Sequence, residues 1–178
     1  FKAANRPSSV ELFERLATYN QRMHVEKRHF GATSNVFTKR EVFDKAGLFD
    51  GTLKSGGDSK WGNAVFRAGY QIIYGEDVIV FHPARAKLSE LIQRHRRIVG
   101  GFVDKRMKGK VYTFVQLLRD IFRFSPTWKD LTDRLSGIKG LKVSRLKMFS
   151  VFLLLLIVRS VCSFERMRIW AGGESRRS

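Results

Sequence analysis

A chain of 178 residues with 43% hydrophobic side chains can bury one modest core, which predicts one compact unit with appendages and not two independent domains. Thirty-four Lys and Arg against 16 Asp and Glu give a formal charge of +18, so the surface calls for an anionic partner: nucleic acid, anionic lipid or the phosphates of a nucleotide-sugar. The lone Cys162 excludes an intramolecular disulfide and has no Cys or His at metal-ligand spacing, so a reducing cytosol is the natural compartment.

The chain opens at Phe1 without Met, apolar leader or cleavage site, and reads as a fragment of something longer. Ser8 and Glu11 have capping-box spacing, and Leu12, Phe13, Leu16 and Met23 recur at helical intervals, which predicts a helix from Ser8 to about Lys27. FGATSNVF is apolar and β-branched enough for a short strand. A second capping box, Thr38 with Glu41, opens a short helix that Gly47 closes. After a Gly- and Ser-rich stretch, Asp58 starts a helix that runs to Ala68 and stops at Gly69. YQIIY and VIVFH then read as two short strands around the turn residues Gly75, Glu76 and Asp77. Leu88, Leu91, Ile92, Ile98 and Val99 mark an amphipathic helix that Gly100 and Gly101 should end.

Beyond Gly101 the strands stop, and basic clusters alternate with apolar helical stripes. One stripe comprises Val111, Phe114, Val115, Leu118, Ile121 and Phe122, and Pro126 interrupts it. MFSVFLLLLIV, Met148 to Val158, is the most apolar stretch and falls short of the roughly 20 residues that cross a bilayer. Lys142, Arg145 and Lys147 precede it; Arg159, Arg166 and Arg168 follow. An interfacial helix fits this pattern, with basic side chains among headgroups and Trp170 at the boundary; a buried core helix and a short span lengthened by a snorkelling Arg159 compete.

Chemistry concentrates in SGGDSKWG, where Gly56 and Gly57 let the backbone pass close to a ligand and deliver the Asp58 carboxylate to a helix start. Asp there is also a favoured N-cap. His82, at the end of VIVFH, is a candidate metal ligand as well as an ordinary structural histidine. His24 and His29, five apart, share no face and carry no site. His95, among Arg94, Arg96 and Arg97, reads as part of a solvated basic face. QRHRR suits phosphate, yet no zinc-finger spacing, RNP motif or GXXG loop accompanies it, so nucleic acid is not expected.

Taken in order, GATSNVFTKREVFDKAGLFD, SGGDSKWGNAVFRAGYQIIYGEDVIVFHPAR and the QRHRR helix resemble the second half of family 2 glycosyltransferases of the GT-A fold, nearest to bacterial non-processive enzymes of cell-surface or exported polysaccharide synthesis. The resemblance covers roughly residues 31–101. It implies an α/β fold, the C-terminal part of a GT-A domain with a mixed sheet, in residues 1–101, and a basic, membrane-associated helical tail in residues 102–178. Asp58 takes the place of the family's catalytic base, and His82 that of a ligand to a divalent metal, Mg2+ or Mn2+, whose main ligands belong to a DxD motif upstream. Gly31, Ala32 and Asn35 fall where such enzymes line the sugar and acceptor pocket, Gly56, Gly57 and Trp61 flank the base, and Arg96 and Arg97 are positioned to meet diphosphate oxygens. Lys60 and Ala64 depart from the family's acidic residue and arginine, and Arg97 replaces the tryptophan of the processive QxxRW motif. The implied partners are a nucleotide-sugar donor, a saccharide or lipid-linked acceptor and an anionic membrane surface; the implied location is the cytoplasmic membrane face, peripheral or monotopic. The competing reading is a non-catalytic module that binds anionic lipids through basic helices.

Overall fold

The structure, a computed structural model, describes residues 7–17, 21–106 and 143–175, together with 113 and 115. Most of the stripe from Val111 to Phe122, Pro126 and Lys142 lie outside the described residues. Two compact units result, one of Phe1–Thr18 with His82–Ser178 and one of Tyr19–Phe81.

Among the described residues the fold is helical and contains no strand, so the expected mixed sheet is overturned. The physical reason lies in the hydrogen bonds. The turn at Gly75 forms, with the Val78 N–H donating to the Gly75 carbonyl at 3.4 Å, but the flanking segments do not pair. Side chains hold them instead: Arg22 binds Glu76, and Asn35 Nδ2 donates to the Val78 carbonyl at 2.9 Å. Without a ladder partner an apolar, β-branched segment is only extended chain, and Ile73 and Phe81 stand 77% and 72% exposed. FGATSNVF likewise forms a 3-10 turn, Thr33–Asn35, in place of a strand.

In the first unit, α1 (Ser9–Ala17) opens on a fully formed capping box. The Glu11 N–H donates to Ser8 Oγ at 3.1 Å and the Ser8 N–H to Glu11 Oε2 at 2.7 Å. Helix α5 (Leu88–Arg106) runs through Gly100 and Gly101, both buried, where an end was expected; burial of the helix face offsets the intrinsic cost of glycine. Helix α6 (Arg145–Trp170) is capped by Ser144, whose side chain accepts from the Lys147 N–H. Gly172, at φ 94°, closes it with the paired 6→1 and 5→2 bonds of a Schellman motif. Leu12, Phe13 and Leu16 of α1, Leu91 of α5 and Met148, Val151, Leu154 and Val158 of α6 make one core.

Charged groups line that core. Glu14, fully buried, takes Arg85 at 3.1 Å and Arg94 at 3.3 Å. Glu165, also buried, takes Arg168 at 2.7 Å, with Arg96 at 4.0 Å. His95 packs edge-on against Phe13 and donates from Nδ1 to the Leu91 carbonyl at 2.8 Å. QRHRR is therefore no solvated face: helical periodicity turns Arg94 and His95 inward, where buried carboxylate and aromatic surface meet them.

In the second unit, α2 (Gln21–Arg28), α3 (Arg40–Ala46) and α4 (Gly57–Arg67) surround a small core of Val42, Trp61 and Val65. The Thr38–Glu41 box does not form, since α3 begins at Arg40 behind Lys39 with no side-chain cap. Gly47 and Gly69 end α3 and α4 at φ 79° and 88°, as their positions suggested.

Removing one side of a buried ion pair strands the other, so Glu14→Ala should cost about 3–5 kcal/mol in denaturant unfolding. Burial, opposed by the Leu91 bond, holds His95 below its ordinary value of 6.5. The folded state then binds fewer protons than the unfolded state; the resulting stability is complete above about 6.5 and drains away as pH falls through the depressed value. The denaturant midpoint should drop below that pH, and His95→Gln should flatten the slope.

Candidate active site

Asp58 is the second residue of α4, two positions after the N-cap, because Gly56 takes that place in the left-handed conformation at φ 78° and Gly57 already belongs to the helix. That geometry sets the half-buried carboxylate among the open N–H groups of the first turn, which favour negative charge. One oxygen, Oδ1, accepts from the Ser59 N–H at 2.8 Å. Lys60, in place of a second acid, turns to Asp50 at 2.6 Å.

Three residues further along α4, a glycine and two side chains, fasten it to the end of α2. A Cβ on Gly62 would sit 2.7 Å from Phe30 Cα and 2.8 Å from the His29 carbonyl oxygen, so only glycine lets the backbones come this close. Asn63 Nδ2 donates to the Arg28 carbonyl at 3.2 Å. Phe66 stacks on His29 with centroids 3.8 Å apart and rings 3° from parallel, although His29 itself has φ 55°.

This attachment brings in a residue that spacing could not reveal. His24 stacks on Phe30 at 4.7 Å, and its Nδ1 is buried without a hydrogen-bond partner. Burial and the Arg28 charge hold its pKa below the ordinary value, while the Asp58 carboxylate pulls it back up. A neutral imidazole and a carboxylate thus share one electrostatic neighbourhood although 34 positions separate them in the chain. No sequence signal pairs them; the only hint is a glycine inside a helix, at Gly62.

Gly31, Asn35 and Trp61 line one cavity of about 570 Å3, together with Val36, Tyr70 and Ile72. Ala32 lies beside it, buried, with its N–H donating to Gln21 Oε1 at 3.0 Å. Asn35 Oδ1 is buried without a hydrogen-bond partner. Trp61 packs against Phe43 and Phe49, and its indole N–H donates to the Gly47 carbonyl at 2.8 Å, so it anchors the core as well as the cavity wall. Asp58 does not line the cavity but precedes Trp61 and Gly62 by one helical turn, on the same side of α4.

The remaining expected site residues belong to the other unit. The His82 Nδ1 lies 2.9 Å from the Pro83 carbonyl, which can only accept, so Nδ1 donates that bond. Arg96 points to Glu165, and Arg97 is half-buried on α5. Among the described residues no three His, Cys, Asp or Glu gather closely enough to hold a metal ion, so His82 and its neighbours do not by themselves fit one.

The chain is related to a glycosyltransferase. It is 29% identical over 111 residues to Glycosyltransferase AglE of Haloferax volcanii, a match covering 62% of this chain and 36% of that protein. The chain therefore spans about a third of that relative's length. No family model and no solved structure matches.

Because the atoms that would meet a new methyl at Gly62 are backbone as well as side chain, Gly62→Ala should lower stability by about 1–3 kcal/mol. Trp61→Ala, which also loses the indole bond, should cost about 3–5 kcal/mol. Thermal unfolding of each variant checks both values.

Proposed function

We propose that this chain is the acceptor-side part of an inverting glycosyltransferase of the family 2 type. It transfers a sugar from a nucleotide-diphospho-sugar to a saccharide or lipid-linked acceptor in cell-surface or exported polysaccharide synthesis. The reaction takes place at the cytoplasmic face of a membrane, with residues 102–178 as the membrane-associated tail.

The observation that carries this reading is the Asp58 carboxylate, held at the start of α4 by the Gly56 turn and the Ser59 N–H, in a chain related to a glycosyltransferase. The Asp58 oxygen left outside that bond takes the proton of the acceptor hydroxyl as the hydroxyl oxygen attacks the anomeric carbon. The bond to the diphosphate breaks as the new one forms, the diphosphate leaves with the electron pair, and the anomeric configuration inverts. His24, kept neutral by burial, leaves Asp58 the only full charge of the pair. Gly31, Ala32, Asn35, Gly56, Gly57 and Trp61 shape the sugar and acceptor pocket. Arg96 and Arg97 would supply positive charge for the diphosphate, and His82 would offer at most one imidazole to a Mg2+ or Mn2+ ion, whose main ligands would have to lie outside the described residues.

A second reading, a membrane-surface module without catalysis, draws on the uncovered apolar face of α6, where Leu146 is 79% and Phe149 52% exposed. The two readings separate at one residue. In the full-length protein, Asp58→Asn should lower kcat by about 10²–10⁴-fold and leave donor binding unchanged. Undiminished turnover would remove Asp58 from the role of base and favour the second reading.

A further inference from the structure

Helix α6 is 26 residues long, roughly 39 Å, and by length and composition it is able to cross a membrane, which the eleven residues Met148 to Val158 alone are not. Its two faces differ sharply. Met148, Val151, Leu154 and Val158 fall on one side and are buried against α1 and α5. Leu146, Phe149, Leu153, Ile157, Phe164 and Met167, spaced at threes, fours and a seven, fall on the opposite side, and all are exposed. No charged residue interrupts that stripe. Ser160, which lies on it, satisfies its own hydroxyl by donating to the Leu156 carbonyl at 3.0 Å.

Arg145, Arg159 and Arg166 are spaced by fourteen and seven and so run along a single flank of the stripe. Arg159 Nη1 is buried without a hydrogen-bond partner, and burial lowers this guanidinium's pKa, the condition of a cation still lacking an anion. An uncharged apolar strip edged by arginines, on a chain of net charge +18, is complementary to a bilayer surface rich in anionic lipid.

We infer that α6 lies in the plane of an anionic bilayer and does not cross it. Its Leu146–Met167 stripe sinks into the acyl boundary, and Arg145, Arg159 and Arg166 lie among the phosphates. This deepens the proposed function, resting on its membrane association and not on its sugar chemistry. The argument against a crossing is energetic. The most apolar part of α6, which a span would put at the bilayer centre, is the part packed against Leu12, Phe13 and Leu16 of α1 and Leu91 of α5. Those helices would enter the hydrocarbon with it, carrying Glu14 with Arg94 and Arg96 with Glu165. Each charge costs on the order of 2.5–3.5 kcal/mol at mid-bilayer depth. An in-plane helix keeps the same packing and leaves these charges on the aqueous side.

The test uses the full chain with Cys162→Ser and a nitroxide on one cysteine at a time, at Phe149, Leu156 or Phe164, bound to phosphatidylglycerol–phosphatidylcholine vesicles. Power-saturation depths for the three labels should agree within about 5 Å, and binding should weaken at least tenfold on pure phosphatidylcholine. A Leu156 label about 10 Å deeper than the two ends, the displacement of seven or eight residues along a spanning helix, overturns the in-plane placement while leaving membrane association intact. Equal binding to neutral vesicles overturns the anionic partner. Labels that stay water-accessible, or that broaden one another in lipid-free solution and remain so with vesicles, overturn the inference in favour of no membrane contact or of a second copy seated on the stripe. Only the water-accessible result also removes the membrane from the proposed function, and none of these outcomes bears on Asp58.

Discussion

The contact at Gly62 is the constraint on which the site depends. Because no side chain stands there, the α4 backbone presses onto Phe30 and the His29 carbonyl, and Asn63 and Phe66 then lock to Arg28 and His29. Four positions before Gly62 is Asp58, and just before the gripped turn is His24. A packing requirement in the middle of the helix thereby sets the company of a carboxylate at its start. The same helix carries Trp61 into the core and the cavity wall, so stability and the proposed chemistry draw on one element.

In the other unit the organising physics is the division of α6 into two faces. One face contributes four residues to a core with α1 and α5; the other is uncovered and uncharged. Two buried carboxylates, Glu14 and Glu165, take Arg85, Arg94 and Arg96, turning part of a strong positive excess into internal structure. At the edge of the apolar face Arg159, whose Nη1 has no hydrogen-bond partner, has reason to seek an anionic surface.

The sequence was most legible where local chemistry decides the outcome. The Ser8–Glu11 box and the glycine stops at Gly47 and Gly69 follow from short-range hydrogen bonding and from the left-handed conformation glycine accepts. It misled where the outcome depends on distant partners. YQIIY and VIVFH have strand composition, but composition cannot supply the neighbouring strand whose absence among the described residues leaves them merely extended. QRHRR has the look of a solvated cluster, and only the fold brings Glu14 and Glu165 beneath it. Of the site, Gly31, Asn35 and Trp61 do come to one cavity, whereas His24 was invisible because nothing in a linear chain announces that its turn meets α4. The glycosyltransferase relationship read from ordered motifs agrees with the likeness to a protein of that activity, while the α/β fold attached to it does not describe this chain's structure.

The most direct measurement is an NMR titration of the His24 ring in the wild-type chain and in Asp58→Asn. If α4 is held against the α2 turn as described, removing the carboxylate takes away the one charge that raises the His24 pKa, and the midpoint, already below the ordinary histidine value, moves lower still. A His24 midpoint that is the same in both proteins would contradict the shared site, because carboxylate and imidazole would then not sense each other.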